Sequence, residues 1–366
     1  MGVINFTRGV PATESFPIEE VIAAAETALK TTGVAMLQYG PSLGFQPLRE
    51  WIAEWQRVTV DCVLTGNGSL QLLEFLCLQM LEPGDVVLTE APTYDRTLTL
   101  LRRHGATVVG IPLEADGPDI GALERSIAKQ VPKFFYVIPD FQNPAGTTCS
   151  GAKRRHIAGL AARHGFLLVE DAPYRLLRYR GEEEPTLYSL APERTLHVTS
   201  FTKLIAPGVR TGCMIGPPAL IAKLAKVAED TYISPGYVAQ GITYEWCRRG
   251  LLPPQIERLK KLYAPRLDAC IAGLEAYMPD TLMTRPDGGF FISLTLPDGV
   301  LTSTLRTEAA TRGLNVSDGL AFFPNGGGER FLRLPFCALS PAEINDGIQR
   351  LAESIRAIRQ VVGTAG

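Results

Sequence analysis

The chain lacks the features that would suit it to nucleic acid, a membrane or a metal ion. In 366 residues, 36 Lys and Arg stand against 38 Asp and Glu, a formal charge of −2. No run of more than three basic residues accumulates anywhere, so the footprint of a phosphate backbone is missing and nucleic acid is not an expected partner. No segment approaches the ~18 uninterrupted apolar residues of a membrane span. Asn5, Arg8 and Glu14 break up the place where a secretory leader needs an apolar stretch, and Phe6 stands where a myristoylation signal wants Ser or Thr. The four histidines (His104, His156, His164 and His197) have no metal-ligand spacing and read as surface or helix-end residues. The seven cysteines (Cys62, Cys77, Cys149, Cys213, Cys247, Cys270 and Cys337) are odd in number, scattered and free of any C-x-x-C pair. Free thiols in a reducing compartment, and hence a soluble cytoplasmic protein, are the expectation. Neither an internal repeat nor a low-complexity segment is present.

What is there is ordinary globular material: 46% hydrophobic and 20% charged residues, enough for a sizeable core. The length exceeds the ~100–200 residues of a typical domain, which implies one large α/β domain with an appendage, or two domains. From about residue 65 to 230, short β-rich apolar runs alternate with longer amphipathic stretches, the pattern of a mostly parallel sheet with crossover helices. The strands expected are Val86–Glu90, Ala106–Ile111, Phe134–Pro139, Phe166–Glu170, Thr195–Ser200 and Cys213–Gly216. Helices are expected over 69–81, 94–104, 119–130 and 151–164, two of them stopping at His104-Gly105 and His164-Gly165. After Pro217 long helices take over, with Ile256–Tyr277 as one continuous span. Then follow a strand Gly289–Leu296, a helix 302–312, a strand Phe331–Pro335 and a closing helix. That last helix sets Ile344, Ile348, Leu351, Ile355, Ile358 and Val361 on one apolar stripe.

Two familiar signals fail. Gly66-Asn67-Gly68 opens like a dinucleotide fingerprint but has Gln71 where the third glycine belongs, and Ser69 lacks the flanking glycines of a nucleophile elbow. The informative stretch is Ser200-Phe201-Thr202-Lys203, running on to Arg210-Thr211-Gly212 directly after an expected strand. Parallel α/β sheets gather ligands beyond the carboxyl ends of their strands, and a lysine beside other cations in a partly dry site becomes a nucleophilic amine. A solvated basic loop has the same composition. Glu170-Asp171-Ala172-Pro173-Tyr174 and Gln142-Asn143-Pro144-Ala145-Gly146 also follow strands. Asp171 suits a helix cap as well as a carboxylate partner, and Asn143-Pro144 suits an ordinary turn. Gly68-Ser69-Leu70 opens the helix 69–81, whose first N–H groups suit a phosphate, with Ser69 fitting both as cap and as ligand.

Taken together, these segments resemble the fold-type I pyridoxal-phosphate enzymes, within them the class I/II aminotransferases, and especially the aminoadipate/kynurenine aminotransferase-like branch. The resemblance runs from about Asn5 to the final helix. It implies a large domain with a mostly parallel sheet between helices plus a smaller α+β domain, divided as 1–45 (N-terminal segment of the small domain and active-site cover), 46–250 (cofactor domain) and 251–366 (interdomain helix and small domain). It implies pyridoxal 5′-phosphate on Lys203, with Gly68, Ser69, Leu70, Ser200, Thr202 and Arg210 around the phosphate. Asp171 would stand against the ring nitrogen, Tyr174 and Asn143 at the phenolic oxygen, and Tyr94 of Ala91-Pro92-Thr93-Tyr94 on the ring face. Tyr39, in Leu37-Gln38-Tyr39-Gly40, would serve the cofactor and substrate of the neighbouring subunit of a homodimer. For Tyr94 and Tyr39 alike, a core tyrosine is the rival reading. Arg333, in Phe331-Leu332-Arg333-Leu334-Pro335-Phe336, would clamp the substrate α-carboxylate through two parallel N–H donors, a geometry lysine lacks.

The chain departs from this pattern at Leu70 (usually Gln), Thr199 (usually small or acidic), Ala145 (commonly Thr) and Asp318 (in place of the Pro of a P-G turn). Arg8 stands where the branch usually has Gly-Gly. It is either a surface residue or a second cation for a substrate with an acidic far end. The resemblance implies an aminotransferase acting on an amino acid. A pyridoxal-phosphate lyase or bond-forming enzyme of specialised metabolism uses the same scaffold, because the pocket decides which bond breaks. Regulators carrying this domain begin with a DNA-binding extension, which this sequence does not show.

Overall fold

The computed structural model describes residues 2–281 and 284–364, with the side chains of Asp280 and of residues 361–364 outside the description. Its centre is an eight-stranded sheet in the order Val63–Gly66, Gly212–Ile215, Thr195–Ser200, Leu167–Asp171, Phe134–Val137, Val86–Ala91, Thr107–Glu114 and Gly117–Pro118. The five strands from Thr195–Ser200 to Thr107–Glu114 are mutually parallel. Gly212–Ile215 runs antiparallel to both its neighbours, so Val63–Gly66 points the same way as the parallel set. All the parallel strands therefore end on one edge, and the chain segments after Ala91, Val137, Asp171 and Ser200 gather there.

The strand residues are apolar on both faces because both are covered. Leu72, Leu76, Leu98, Leu101 and Ile221 pack from helices Ser69–Met80, Asp95–Arg103 and Pro218–Tyr232 onto one face. Leu123, Ile127, Ile157 and Leu160 pack from helices Ile120–Lys129 and Gly151–His164 onto the other. Each such fully buried side chain contributes roughly 2 kcal/mol. The last of these helices ends at Gly165, whose φ of 78° is the left-handed stop its sequence implies.

A second core lies C-terminal to the sheet. Phe291–Thr295 pairs antiparallel with Phe331–Pro335, and Ile4–Phe6 pairs parallel with Leu314–Val316. Helices Leu252–Tyr277, Thr302–Thr311 and Pro341–Thr364 accompany these strands. The stripe Ile344, Ile348, Leu351, Ile355 and Ile358 is buried in this core with Ile4 and Phe6, while the side chain of Val361 lies outside the described residues.

Two expectations need correction. Ser69 is not the cap of its helix: Gly68 holds that position at φ 101°, and no side chain caps it. His197 is neither superficial nor at a helix end, because it sits on the strand Thr195–Ser200 with Nδ1 2.9 Å from Glu170 Oε2 and only 6% exposed. The sheet also contains Val63–Gly66, a four-residue strand too short to display an alternation.

Candidate functional site

Strand register builds the first wall. Ser200 lies opposite Gly212, which lies opposite Gly66, so the loops following two of these strands and preceding the third are side by side. Here the backbones approach closely: a Cβ on Gly212 would lie 2.6 Å from the Ser69 nitrogen, and one on Gly68 2.7 Å from the Arg210 guanidinium. Gln71, which stood where a third glycine was wanted, instead accepts from the Asn67 N–H at 2.9 Å and fixes the turn. Arg210 donates to the Asn67 carbonyl at 2.9 Å, and Ser200 Oγ donates to Thr202 Oγ1 at 2.8 Å. The result is a cup of small residues, hydroxyls, helix N–H groups and one guanidinium, the chemistry of a phosphate site.

The cup opens into a cavity of about 830 Å³. Every residue expected at the site lines it, from Gly68 and Ser69 through Tyr94, Asn143, Asp171, Tyr174 and Lys203 to Arg333, with the exception of Tyr39. Tyr39 is 76% exposed and outside the cavity of its own chain. Arg8 lies on the cavity wall and is itself exposed.

Lys203 is half-buried, and its Nζ donates to the Gly9 carbonyl at 3.3 Å. Burial pulls its ammonium below the ordinary lysine value; the nearby Cys337 opposes this, and the charges of Arg333 and Arg210 add to it. Asp171 closes its strand. Its Oδ2 accepts from the Tyr136 hydroxyl at 2.6 Å, whereas its Oδ1 is buried with no partner. Burial lifts this carboxyl to about 6, against the lowering effects of Tyr136 and His197. A carboxylate oxygen left bare in a cavity wall is expensive unless a donor arrives.

Arg333 is held from several sides. Its guanidinium lies 4.9 Å from the Phe291 ring centre and 4.7 Å from that of Phe322, donates to Asn143 Oδ1 at 2.9 Å and to the Thr7 carbonyl at 3.1 Å, and keeps a buried Nε–H unpaired. Tyr174 is buried edge-on to Phe291 with ring centres 5.6 Å apart. The segment Thr7–Val10 covers these groups, its carbonyls accepting from Arg333, Lys203 and, at 3.1 Å, the Cys337 thiol. Sequence reasoning missed Tyr136, Phe291, Phe322, Ser317 and Arg306. Arg306 pairs with Asp318 at 2.9 Å in the cavity wall, so the unusual Asp318 has a partner that a proline could not engage. Among the described residues no cluster of His, Cys, Asp or Glu suits a metal ion, and no helix is long and apolar enough to cross a membrane. All seven cysteines are free thiols, and burial pushes several of them, Cys337 included, up to about 12.

Residues 1–351 match the family described as aminotransferase class I and II, and the chain belongs to that family. It is 34% identical to aromatic-amino-acid aminotransferase 1 of Thermococcus litoralis, over 97% of this chain and 88% of that protein. It is 32% identical to the 2-aminoadipate transaminase of Thermus thermophilus, over 99% of this chain and 92% of that protein. Among solved structures it resembles α-aminoadipate aminotransferase from Thermus thermophilus in complex with N-(5′-phosphopyridoxyl)-L-leucine, with a TM-score of 0.93, 32% identity and coverage of 98% of this chain and 94% of that one. The fold is thus that of the fold-type I aminotransferases, and the protein is an aminotransferase.

Proposed function

We propose that this chain works as a homodimeric, cytoplasmic aminotransferase that carries pyridoxal 5′-phosphate on Lys203 and takes amino acids with a second anionic or strongly polar group. The observation that carries the cofactor assignment is the bare Oδ1 of Asp171 in the same cavity as the Lys203 amine. The residues present fit the group. Asp171 Oδ1 would accept from a protonated ring nitrogen; Gly68, Ser69, Leu70, Ser200, Thr202 and Arg210 would hold the phosphate; Tyr94 would cover the ring. Asn143 and Tyr174 would donate to its phenolic oxygen, since Asn143 Oδ1 is already engaged by Arg333 and leaves the amide N–H groups free. When bound, the cofactor supplies an electron sink for the bonds at the substrate's α-carbon.

The rest is done by the protein. Arg333 offers its unpaired Nε–H and the adjacent donor to the α-carboxylate, and the two phenylalanine rings hold the planar guanidinium in place against it. Lys203 Nζ, its pKa lowered by burial, would serve as the base that takes the α-proton of the bound amino acid and as the acid that returns it. Asp171 would supply the negative charge that keeps a bound ring nitrogen protonated, and Thr7–Val10 would exclude water from above.

Charge accounting points to the substrate class. Six cations and three carboxylates line the cavity. Arg96 pairs with Asp95 at 3.7 Å and Arg306 with Asp318 at 2.9 Å. Arg210 is assigned to the phosphate, Arg333 to the α-carboxylate, Lys203 to the covalent link with the cofactor and Asp171 to the ring, leaving the exposed Arg8, which has no ion-pair or hydrogen-bond partner among the described residues. A distal carboxylate on the substrate would complete it, and the 2-aminoadipate transaminase relative acts, by its name, on an amino acid of that kind. Dimerisation is supported by the helix Ile18–Leu37, which leaves Ile18, Ile22, Leu29, Val34 and Leu37 exposed next to Tyr39. The test is a panel of amino acids given singly to the loaded enzyme. An acidic amino acid should convert the cofactor to its amine form and yield the keto acid, and borohydride should fix the cofactor to Lys203. Substrate consumption with no amine form in any member of the panel would replace transamination by the lyase or bond-forming reading.

A further inference from the structure

Behind the loops that face the cavity lies a carboxyl that the reaction as derived does not use. Glu90 is 1% exposed on the strand Val86–Ala91, immediately before the turn that leads to Tyr94. Its Oε2 accepts from the Ile138 backbone N–H at 3.1 Å and from Gln142 Nε2 at 3.0 Å. Gln142 is fully buried and reaches both ways: Nε2 also donates to the Pro92 carbonyl, and Oε1 accepts from the Ala145 N–H, each at 2.8 Å. Between Gln142 and Ala145 stands Asn143, the partner of Arg333. Just before Gln142, Phe141 has a φ of 51°, a left-handed conformation a phenylalanine keeps only when its surroundings impose it.

We infer that Glu90, acting through Gln142, is a positioning residue that fixes the spacing between the Tyr94 turn and the Asn143 loop and thereby sets where Asn143 holds Arg333. Without the Glu90 acceptor, the Ile138 N–H and a Gln142 N–H are stranded in a dry interior, and the loop can recover them only by moving. Movement of the Gln142 backbone carries Asn143 with it, and Arg333 loses the oxygen that aims it. The kinetic consequence rests on the aminotransferase reading of the cavity; the structural consequence rests on the hydrogen bonds alone.

Two substitutions separate positioning from bulk. Glu90→Leu removes the acceptor at similar volume, and Glu90→Gln keeps an oxygen that accepts both bonds. Burial lifts the Glu90 carboxyl to about 8, so near neutrality the amide replaces a neutral acid. Glu90→Leu should raise KM for the amino acid about tenfold, because a misaimed clamp weakens the bound geometry, with kcat changed by less than about threefold. In the cofactor-free protein its peptide spanning residues 134–147 should exchange amide hydrogens faster. Glu90→Gln should match the wild type in both measurements. In an Asn143→Ala background Glu90→Leu should add nothing further to KM, since both act through one contact. If Glu90→Leu does not fold, Gln142→Leu cuts the same connection and should give the same pattern. Wild-type KM and exchange in the leucine variants would overturn the inference, as would a Glu90→Gln variant as impaired as Glu90→Leu. Failure of the wild type to transaminate any amino acid would instead remove the function proposed above and leave the exchange result to decide the role of Glu90.

Discussion

Replacing Asp171 by asparagine should stabilise the cofactor-free protein and cripple the loaded enzyme, two effects of opposite sign from one atom's surroundings. Burial raises the carboxyl from an ordinary 3.8 to about 6. Between those values the folded protein binds a proton that the unfolded chain has released. Stability is therefore greatest below about pH 4 and falls as the pH rises through 6. The full loss from ionising this group is about 3 kcal/mol at ~1.36 kcal/mol per pH unit. About 1.6 kcal/mol of it is spent by pH 5 and the remaining ~1.4 between pH 5 and pH 8. An amide does not titrate, so the stability of Asp171→Asn relative to wild type should improve by about 1.4 kcal/mol over that interval. The amide oxygen takes the place of Oδ2 and accepts from Tyr136, but the N–H groups then face the cavity, an offset of about 1 kcal/mol that does not vary with pH.

Urea unfolding of both cofactor-free proteins at pH 5 and pH 8 measures the change, because titrating groups that do not feel the Asp171 charge cancel in the comparison. In the loaded enzyme the amide would donate to the ring nitrogen rather than hold its proton, so turnover should drop on the order of 10²–10³-fold. A stability difference that stays flat from pH 5 to pH 8 would mean that Asp171 titrates as an ordinary carboxyl, and the electrostatic account of the site would be wrong. Near-wild-type turnover would remove the residue from the reaction.

Two further outcomes are expected. Arg333→Ala should weaken every amino acid substrate by ~2–4 kcal/mol, the cost of truncating a buried charge-assisted contact, whereas Arg8→Ala should weaken only those with a distal anionic group; KM across the panel distinguishes the two, and a uniform effect of Arg8 would discard the acidic-substrate reading. Mixing Tyr39→Phe with Lys203→Ala subunits should regenerate some sites carrying neither lesion, visible as recovered activity, and a fully active monomer in sedimentation would contradict composite sites.

The sheet was legible because parallel strands covered on both faces leave apolar runs of five or so residues separated by helical stretches, and the expected strands agree with the observed ones to within a few residues. Val63–Gly66 escaped because four buried residues show no period. The helix Ile18–Leu37 escaped because its run of alanines and its exposed isoleucines and valine blur any single stripe. Ser69 was misplaced by one residue because a serine before an apolar helix is the usual cap, while here Gly68 takes the position with a φ that serine would resist.

The division within the site has a common physical cause. Lys203, Asp171, Asn143, Tyr94 and Arg210 stand at strand ends or in the loops beyond them, where polar residues interrupt apolar runs and so announce themselves. Tyr136 and Glu90 act from inside the strands Phe134–Val137 and Val86–Ala91, whose residues are buried nearly throughout. In such a segment a tyrosine reads as one more aromatic and a glutamate as the end of a run, because the partners that give them meaning come from other strands. Asp171 belongs to both groups: one oxygen is committed to Tyr136 in the interior and the other is left bare toward the cavity. The exposed half of that carboxylate could be read from its place after a strand. The half that fixes its orientation depends on the register of Phe134–Val137 against Leu167–Asp171, which pairs Tyr136 with Val169 and so lays its hydroxyl beside the strand's last residue.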